Sequence, residues 1–317
     1  MSVIDSIVRS SKPTFSFEVV PPLKGSGLDV LTKTIDILRE FDPKYINITT
    51  HRSEEVMTEL PDGFFKRTIV RRRPGTVAVA AALQYRYGIP VVPHILCSGF
   101  SREETEYVLL DLQFLGITDL LVLRGDKAKQ DAFFKPTEGG HTHATEAIEQ
   151  INRFNEGFFD DGSAIRTTIK PFGYGVACYP EKHEEAANME SDMMWFKKKV
   201  ELGATYGVTQ LFYDNGKYFD FVRKAREMGI DVPIVAGIKP LAKLSHISIL
   251  PKVFRCDLPE DLMKEAVKCK TDADVAELGV EWATAQCREL LAAGVPGLHF
   301  YTVSARDSVR RIAENIY

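Results

Sequence analysis

Eight short runs rich in β-branched and aromatic residues recur along this chain, and most are followed by a segment with helical periodicity. They read "TFSFEVV" (14–20), "YINITT" (45–50), "VVPHIL" (91–96), "DLLVLRG" (119–125), "GYGVACY" (173–179), "VTQLFYD" (208–214), "VPIVAGIKP" (232–240) and "GLHFYTV" (297–303). Their near-continuous apolar character suits strands covered on both faces of a parallel sheet. Between them, Leu28, Leu31, Ile35 and Leu38 form a core-facing helical stripe. Ser101-Arg102-Glu103-Glu104 is a capping box opening a helix that Gly116 can stop. Tyr218, Phe221, Ala225 and Met228 repeat the period before Gly229, and Val309, Ile312 and Ile316 repeat it at the C-terminus. This alternation predicts an α/β fold, a (β/α)8 TIM barrel with extra helices in its loops. An open doubly wound sheet shares the alternation, but it usually carries GxGxxG after its first strand, and no such match occurs.

Barrels of this kind reach 317 residues as one domain, so a single barrel domain over 1–317 is expected. The connections 51–90, 127–172 and 241–296 are long and contain helical periodicity, for example Ile148, Ile151 and Phe154, so they read as decorations. "KPTEGGHTHATE" is the most loop-like piece. A net charge of -4 does not favour general binding to nucleic acid or a membrane surface. The N-terminus "MSVIDSIVRSSKP" has no apolar core of signal-peptide length. Cys97, Cys178, Cys256, Cys269 and Cys287 form no CxxC, which suits a reduced, cytoplasmic protein without structural zinc.

In a barrel the reaction site lies at the carboxyl ends of the strands. Standing there are Glu18, Thr49, His94, Arg124, Asp126, Tyr179 with His183 beyond it, Gln210, Asp214, Lys239, His299 and Tyr301. Glu18 is the most conspicuous, a carboxylate in an apolar strand. Such a group is costly to keep ionised unless something compensates, and its pKa is expected to rise. It could serve as a general acid or be paired with Lys239 or Arg124. Asp126, in "LRGD", could equally cap a following helix. Gln210 could simply be bonded to a neighbouring strand.

The tags "FSFEVVPP", "PHILC", "VLRGD", "YPEKH", "FKKKVELGA", "TQLFYD", "VAGIKP" and "HFYT" resemble, in order, those of 5,10-methylenetetrahydrofolate reductases, over about residues 14 to 303. The resemblance implies a flavoprotein holding FAD, with FMN the less favoured alternative. It implies that NADH or NADPH reduces the flavin, which then reduces methylenetetrahydrofolate to 5-methyltetrahydrofolate in one-carbon metabolism and methionine biosynthesis, the two substrates using one site in turn. It makes Glu18 the general acid that opens the folate's five-membered ring, places Asp126 beside flavin and pterin, and gives Gln210 a hydrogen bond to the pterin. The positions matching its flavin site are Thr49, His94, Leu123, Arg124, Gly125, Asp126, Ala177, Tyr179, His183, Asp192 and Lys199. Asp192 and Lys199 are two helical turns apart and can face one ligand. Without the resemblance they read as solvated helix surface. No nucleic-acid or membrane partner is expected and a homo-oligomer is. Beside the larger members of that family the resemblance implies a catalytic domain over 1–317 with no C-terminal regulatory domain, and hence no inhibition by S-adenosylmethionine.

The chain departs from the family pattern twice. "TTHRSEEVM" puts His51 and Arg52 where the family has a glycine-rich turn, and "HFYTVSARD" displaces an Arg to Arg306, which is left out of the site. Lys66, Arg67, Arg71, Arg72 and Arg73 could meet phosphates or a folate polyglutamate tail, but a solvated basic face is the simpler reading. His141 and His143 read as a flexible loop rather than metal ligands, and Trp195 and Phe196 as core. Other possibilities are a Schiff-base aldolase built on Lys239, a pterin-binding methyltransferase, or a barrel that only binds folate or a protein.

Overall fold

The computed structural model describes residues 2–10, 12–128, 131 and 133–317. Its strands are β1 (Thr14–Val19), β2 (Tyr45–Ile48), β3 (Glu54–Glu59), β4 (Phe65–Val70), β5 (Val91–Leu96), β6 (Asp119–Leu123), β7 (Gly173–Cys178), β8 (Tyr206–Thr209), β9 (Ile234–Ile238) and β10 (Gly297–Tyr301). Eight of these close a barrel in the order β1-β10-β9-β8-β7-β6-β5-β2, and β3 and β4 form a separate two-stranded sheet. With helices between successive barrel strands, this is the (β/α)8 architecture expected from the alternation. Two compact units divide the chain: one runs to Val19 and adds Thr34–Asn47 and Gly173–Tyr317, and the other comprises Val20–Lys33 and Ile48–Phe172.

In the first unit, strand alternation separates two environments. On one side of β1, Phe15 packs against the rings of Phe17, Phe41, Phe300 and Tyr317 at 5.5–5.9 Å. On the other side Ser16 meets Nδ1 of His299 at 2.9 Å, and the Tyr45 ring stacks on His299. The apolar rings therefore seal β1 against its helices, while smaller and polar groups face inward. His299 is fully buried, and that burial pushes its pKa down to about 3, so the imidazole is neutral.

In the second unit, the box of Ser101 and Glu104 forms as expected: Glu104 N donates to Ser101 Oγ (3.1 Å) and Ser101 N to Glu104 Oε2 (2.8 Å). It opens the helix Arg102–Phe114, and Gly116 follows at a φ of 68°. The helix with Ile148, Ile151 and Phe154 spans Ala144–Asn155, with all three buried.

Several expectations need correction. Residues 51–90 hold the helix Thr76–Tyr87, in keeping with their helical periodicity, and before it the antiparallel pair β3–β4, which the sequence pattern did not reveal. The run 208–214 is shifted: β8 covers Tyr206–Thr209, and Asp214 is an N-cap whose carboxylate accepts from Gly216 N. Leu28 lies just outside the helix Asp29–Leu38 and is 39% exposed. Trp195 is also not core, being 41% exposed, whereas Phe196 is buried. His141 is buried rather than loosely held, with Nε2 2.7 Å from Oε1 of Gln150. The basic segment is a surface feature, with Arg67 paired to Glu55 and Arg72 to Glu54, except that Arg73 turns back to the carbonyl of Pro21.

Candidate active site

The strand ranges put the candidate side chains at carboxyl ends. Glu18 is the penultimate residue of β1, Leu123 ends β6, Ala177 is the penultimate residue of β7, Tyr301 ends β10, and Thr49, Gln210 and Lys239 each follow directly on a strand.

Within the first unit, Glu18 pairs across the strands with Tyr301, and its carbonyl accepts from Thr302 Oγ1 at 2.6 Å. The residue as a whole is half-buried. Burial raises its pKa to about 7, and the opposing charge of Lys239 only partly offsets this. The electrostatic pull of Lys239 and a raised pKa therefore coexist, with burial the larger effect. Lys239 is buried, donates to the carbonyls of Tyr301 (3.1 Å) and Val303, and is itself lowered to about 8 by burial. Two of its three donors are thereby engaged. The Tyr301 hydroxyl donates to Thr209 O at 2.7 Å, passing over Gly237 of β9, where a Cβ would lie 2.8 Å from the Tyr301 ring and 2.2 Å from Thr209 O. Gln210 turns its amide oxygen back to accept from Leu211 N at 2.9 Å, and its main chain bonds Cys178 O.

The segment after β7 belongs to the same unit. Tyr179 and His183 meet edge to face at 4.8 Å. Asp192, on the helix Met189–Glu201, is nearly buried and accepts from His183 N at 2.9 Å. Burial raises the Asp192 pKa and lowers that of Lys199, whose Nζ donates to Ala177 O at 2.6 Å. The solvated-surface reading of this pair thus fails: both side chains turn inward, Asp192 to the loop after β7 and Lys199 to the strand itself.

Within the second unit, His94 is buried in β5, and its carbonyl accepts from Thr50 Oγ1 at 2.6 Å. Thr49 Oγ1 lies 3.1 Å from Nε2 of His51. Burial and the charge of Arg73 lower the His51 pKa, against the opposing pull of Asp126 and Glu54. After β6 the chain bends sharply. Gly125 has a φ of 81°, and a Cβ there would sit 2.8 Å from that of Ser98. Ser98 fastens this bend, its N donating to Arg124 O and its hydroxyl to Asp126 O. The Arg124 guanidinium lies 4.4 Å over the Phe134 ring, a cation–π contact. Asp126 is exposed and caps no helix, since among the described residues the next helix begins only at Ala144. Sequence reasoning did not single out Ser98 or Gly237; only the close approach of the neighbouring chain reveals them.

Within the second unit, the Arg124 guanidinium, the Thr49 hydroxyl and the side-chain-free bend at Gly125, where a flat group would meet bare main chain, have the chemistry that a flavin dinucleotide would need. No helix among the described residues is long and apolar enough to cross a membrane.

Fold and site together define a parallel (β/α)8-barrel protein with its titratable groups at the carboxyl ends of the strands. A solved structure of similar fold, an uncharacterized Clostridium thermocellum protein described as binding two copies of 5-methyl-5,6,7,8-tetrahydrofolic acid, matches with a TM-score of 0.57 at 12% identity, over 98% of this chain and 97% of its own. The sequence profile of methylenetetrahydrofolate reductase matches residues 3–317, and the chain belongs to that family. The Arabidopsis thaliana protein "Methylenetetrahydrofolate reductase (NADH) 1" is 28% identical over all of this chain and 51% of its own length. The Pectobacterium carotovorum "5,10-methylenetetrahydrofolate reductase" is 26% identical over 92% of this chain and 86% of its own. The chain spans about half the length of the first curated relatives it matches, 51%, 43% and 48% of them.

Proposed function

We propose that this protein reduces 5,10-methylenetetrahydrofolate to 5-methyltetrahydrofolate at the expense of NADH or NADPH, the nucleotide and the folate occupying one site in turn. Bound FAD would supply the relay of two electrons between them. The observation that carries the reading is Glu18, an acid whose burial raises its pKa to about 7 at the carboxyl end of β1.

Protonated near neutrality, Glu18 donates to a nitrogen of the folate's five-membered ring, opening it to a carbon ready for reduction. Asp126, exposed and free of any helix, offers two acceptors to the guanidine-like edge of the pterin. Gln210 keeps its amide N–H groups for the same ring system while its oxygen stays on Leu211 N. Thr49, His94, Leu123, Arg124, Gly125, Ala177, Tyr179, His183, Asp192 and Lys199 form the proposed flavin site, in which the Asp192–His183 contact and the Lys199–Ala177 contact shape the segment after β7. A cytoplasmic setting agrees with five free cysteines. Lys239 is less suited to a Schiff base, with two donors already on carbonyls.

The test is a visible absorption spectrum of the purified protein, mass analysis of the released chromophore, and separate assay of the two half-reactions. Glu18→Gln is expected to retain the flavin and accept electrons from NAD(P)H, yet fail on folate. A protein that stays colourless after incubation with FAD, or a Glu18→Gln variant that reduces folate normally, would overturn the reading.

A further inference from the structure

The rung that carries Glu18 has a third member. Gly237 of β9 pairs with His299 of β10, and Ile238 with Phe300. One residue on, Lys239 comes level with Tyr301, which itself pairs with Glu18 of β1. Lys239 is 7% exposed, and its ammonium is held by the carbonyls of Tyr301 and Val303. A buried ammonium is costly unless hydrogen-bonded and matched by a negative charge. The charged groups that bear on it are few. Glu18 of β1 supports the ammonium, Lys243 opposes it from the segment after β9, and its own charge disfavours protonation of His246 on the helix His246–Phe254. Tyr301, from β10, has its hydroxyl turned away to Thr209 O.

We propose that Lys239 is a positioning residue for Glu18, its pinned ammonium stabilising the carboxylate left when Glu18 gives up its proton. The proposal rests on the reading of Glu18 as the acid. When the O–H proton passes to a folate nitrogen, the electron pair of that bond stays on the carboxylate. Lys239 keeps all its protons and supplies only charge. It thereby offsets the burial that would otherwise leave Glu18 too weak an acid to donate.

The decisive variants separate charge from pinning. Lys239→Gln keeps an amide donor for the two carbonyls but removes the charge, Lys239→Met removes both, and Lys239→Arg keeps the charge. The readout is titration of the Glu18 carboxyl by infrared difference spectroscopy of the whole protein, identified by its loss in Glu18→Gln. An opposite charge at close range lowers a carboxyl pKa by roughly 1–3 units, so Lys239→Gln is expected to raise the Glu18 midpoint by about that much, and Lys239→Arg to restore it. Should Lys239→Met not fold, Lys239→Gln still gives the answer. A midpoint unchanged in Lys239→Gln, or raised equally in Lys239→Arg, would overturn the proposal. Folate turnover by Glu18→Gln bears on the reaction instead, so the two ideas fail separately.

Discussion

Tyr301 lies opposite Glu18 in the pairing of β1 with β10, and its hydroxyl reaches beyond β9 to the carbonyl of Thr209, 2.7 Å away. The ring can take that path only because position 237 has no side chain: an added methyl would meet both the ring and the carbonyl. The environment of the proposed acid is thus set by Thr209, Gly237 and Tyr301, which come from strands far along the chain.

Gly237→Ala is therefore expected to destabilise the fold by on the order of 3 kcal/mol, since backbone at 2.2 Å from the new Cβ cannot yield as a flexible side chain would. Chemical denaturation followed by far-UV circular dichroism measures this. A loss below about 1 kcal/mol would mean that the strands can part without cost.

His299 stays neutral in the fold down to about pH 3, while its unfolded counterpart takes a proton near 6.5. Below pH 6.5 the unfolded state binds more protons, so this contribution is complete above 6.5 and is lost as pH falls towards 3, at roughly 1.4 kcal/mol per unit. The quantity to measure is the difference in unfolding free energy between wild type and His299→Gln from pH 3 to 8. Parallel curves would contradict it.

Glu18 carries the opposite sign. Its pKa is raised, so between about 4.5 and 7 the folded state holds a proton that the unfolded state has lost, and stability falls as pH rises through that window. On the proposed function folate reduction uses the protonated form, so it is expected to decline above about pH 7 while NAD(P)H oxidation through a bound flavin does not share this limb. Glu18→Gln should lower folate turnover by roughly 10²- to 10⁴-fold and remove the stability slope. Stopped-flow assay of each half-reaction across pH tests the first expectation, and denaturation of the variant the second.

His141 is fastened through Gln150, whose Nε2 also donates to Arg102 O at 2.8 Å. Gln150→Ala strands a buried imidazole nitrogen and a carbonyl, at an expected cost of about 1–3 kcal/mol. Adding zinc should not raise the melting temperature of the wild type, as it would if His141 and His143 were ligands. Thermal unfolding with and without zinc decides both points.

Much of this fold is legible in the sequence because its signals are local. The capping box of Ser101 and Glu104 involves neighbours three apart, and both of its bonds form. The barrel strands are apolar on both faces, so their runs stand out whatever they pair with. Strands β3 and β4 do not, because their side chains are mostly exposed and Met57, Phe65 and Ile69 alternate with charges over no buried face. The end of β8 is not legible in the sequence, because "QLFYD" is as apolar as a strand although it lies past the last pairing of β8 with β7. The helix-cap alternative for Asp126 arises because Gly-Asp precedes many helices, yet among the described residues the next helix begins only at Ala144.

By itself the sequence determined the alternation of strands and helices, and with it which residues stand at strand ends, Glu18 among them, because strand order along the chain is also order around a barrel. Only the tertiary structure decided what those residues do to one another. That Lys239 and Tyr301 share a rung with Glu18, that Gly237 admits the Tyr301 ring and that Lys199 turns to Ala177 O all depend on register and close packing between distant segments. Shifting one strand by a single residue would turn each of these side chains to the other face, and no local pattern in the chain records which register closes the barrel.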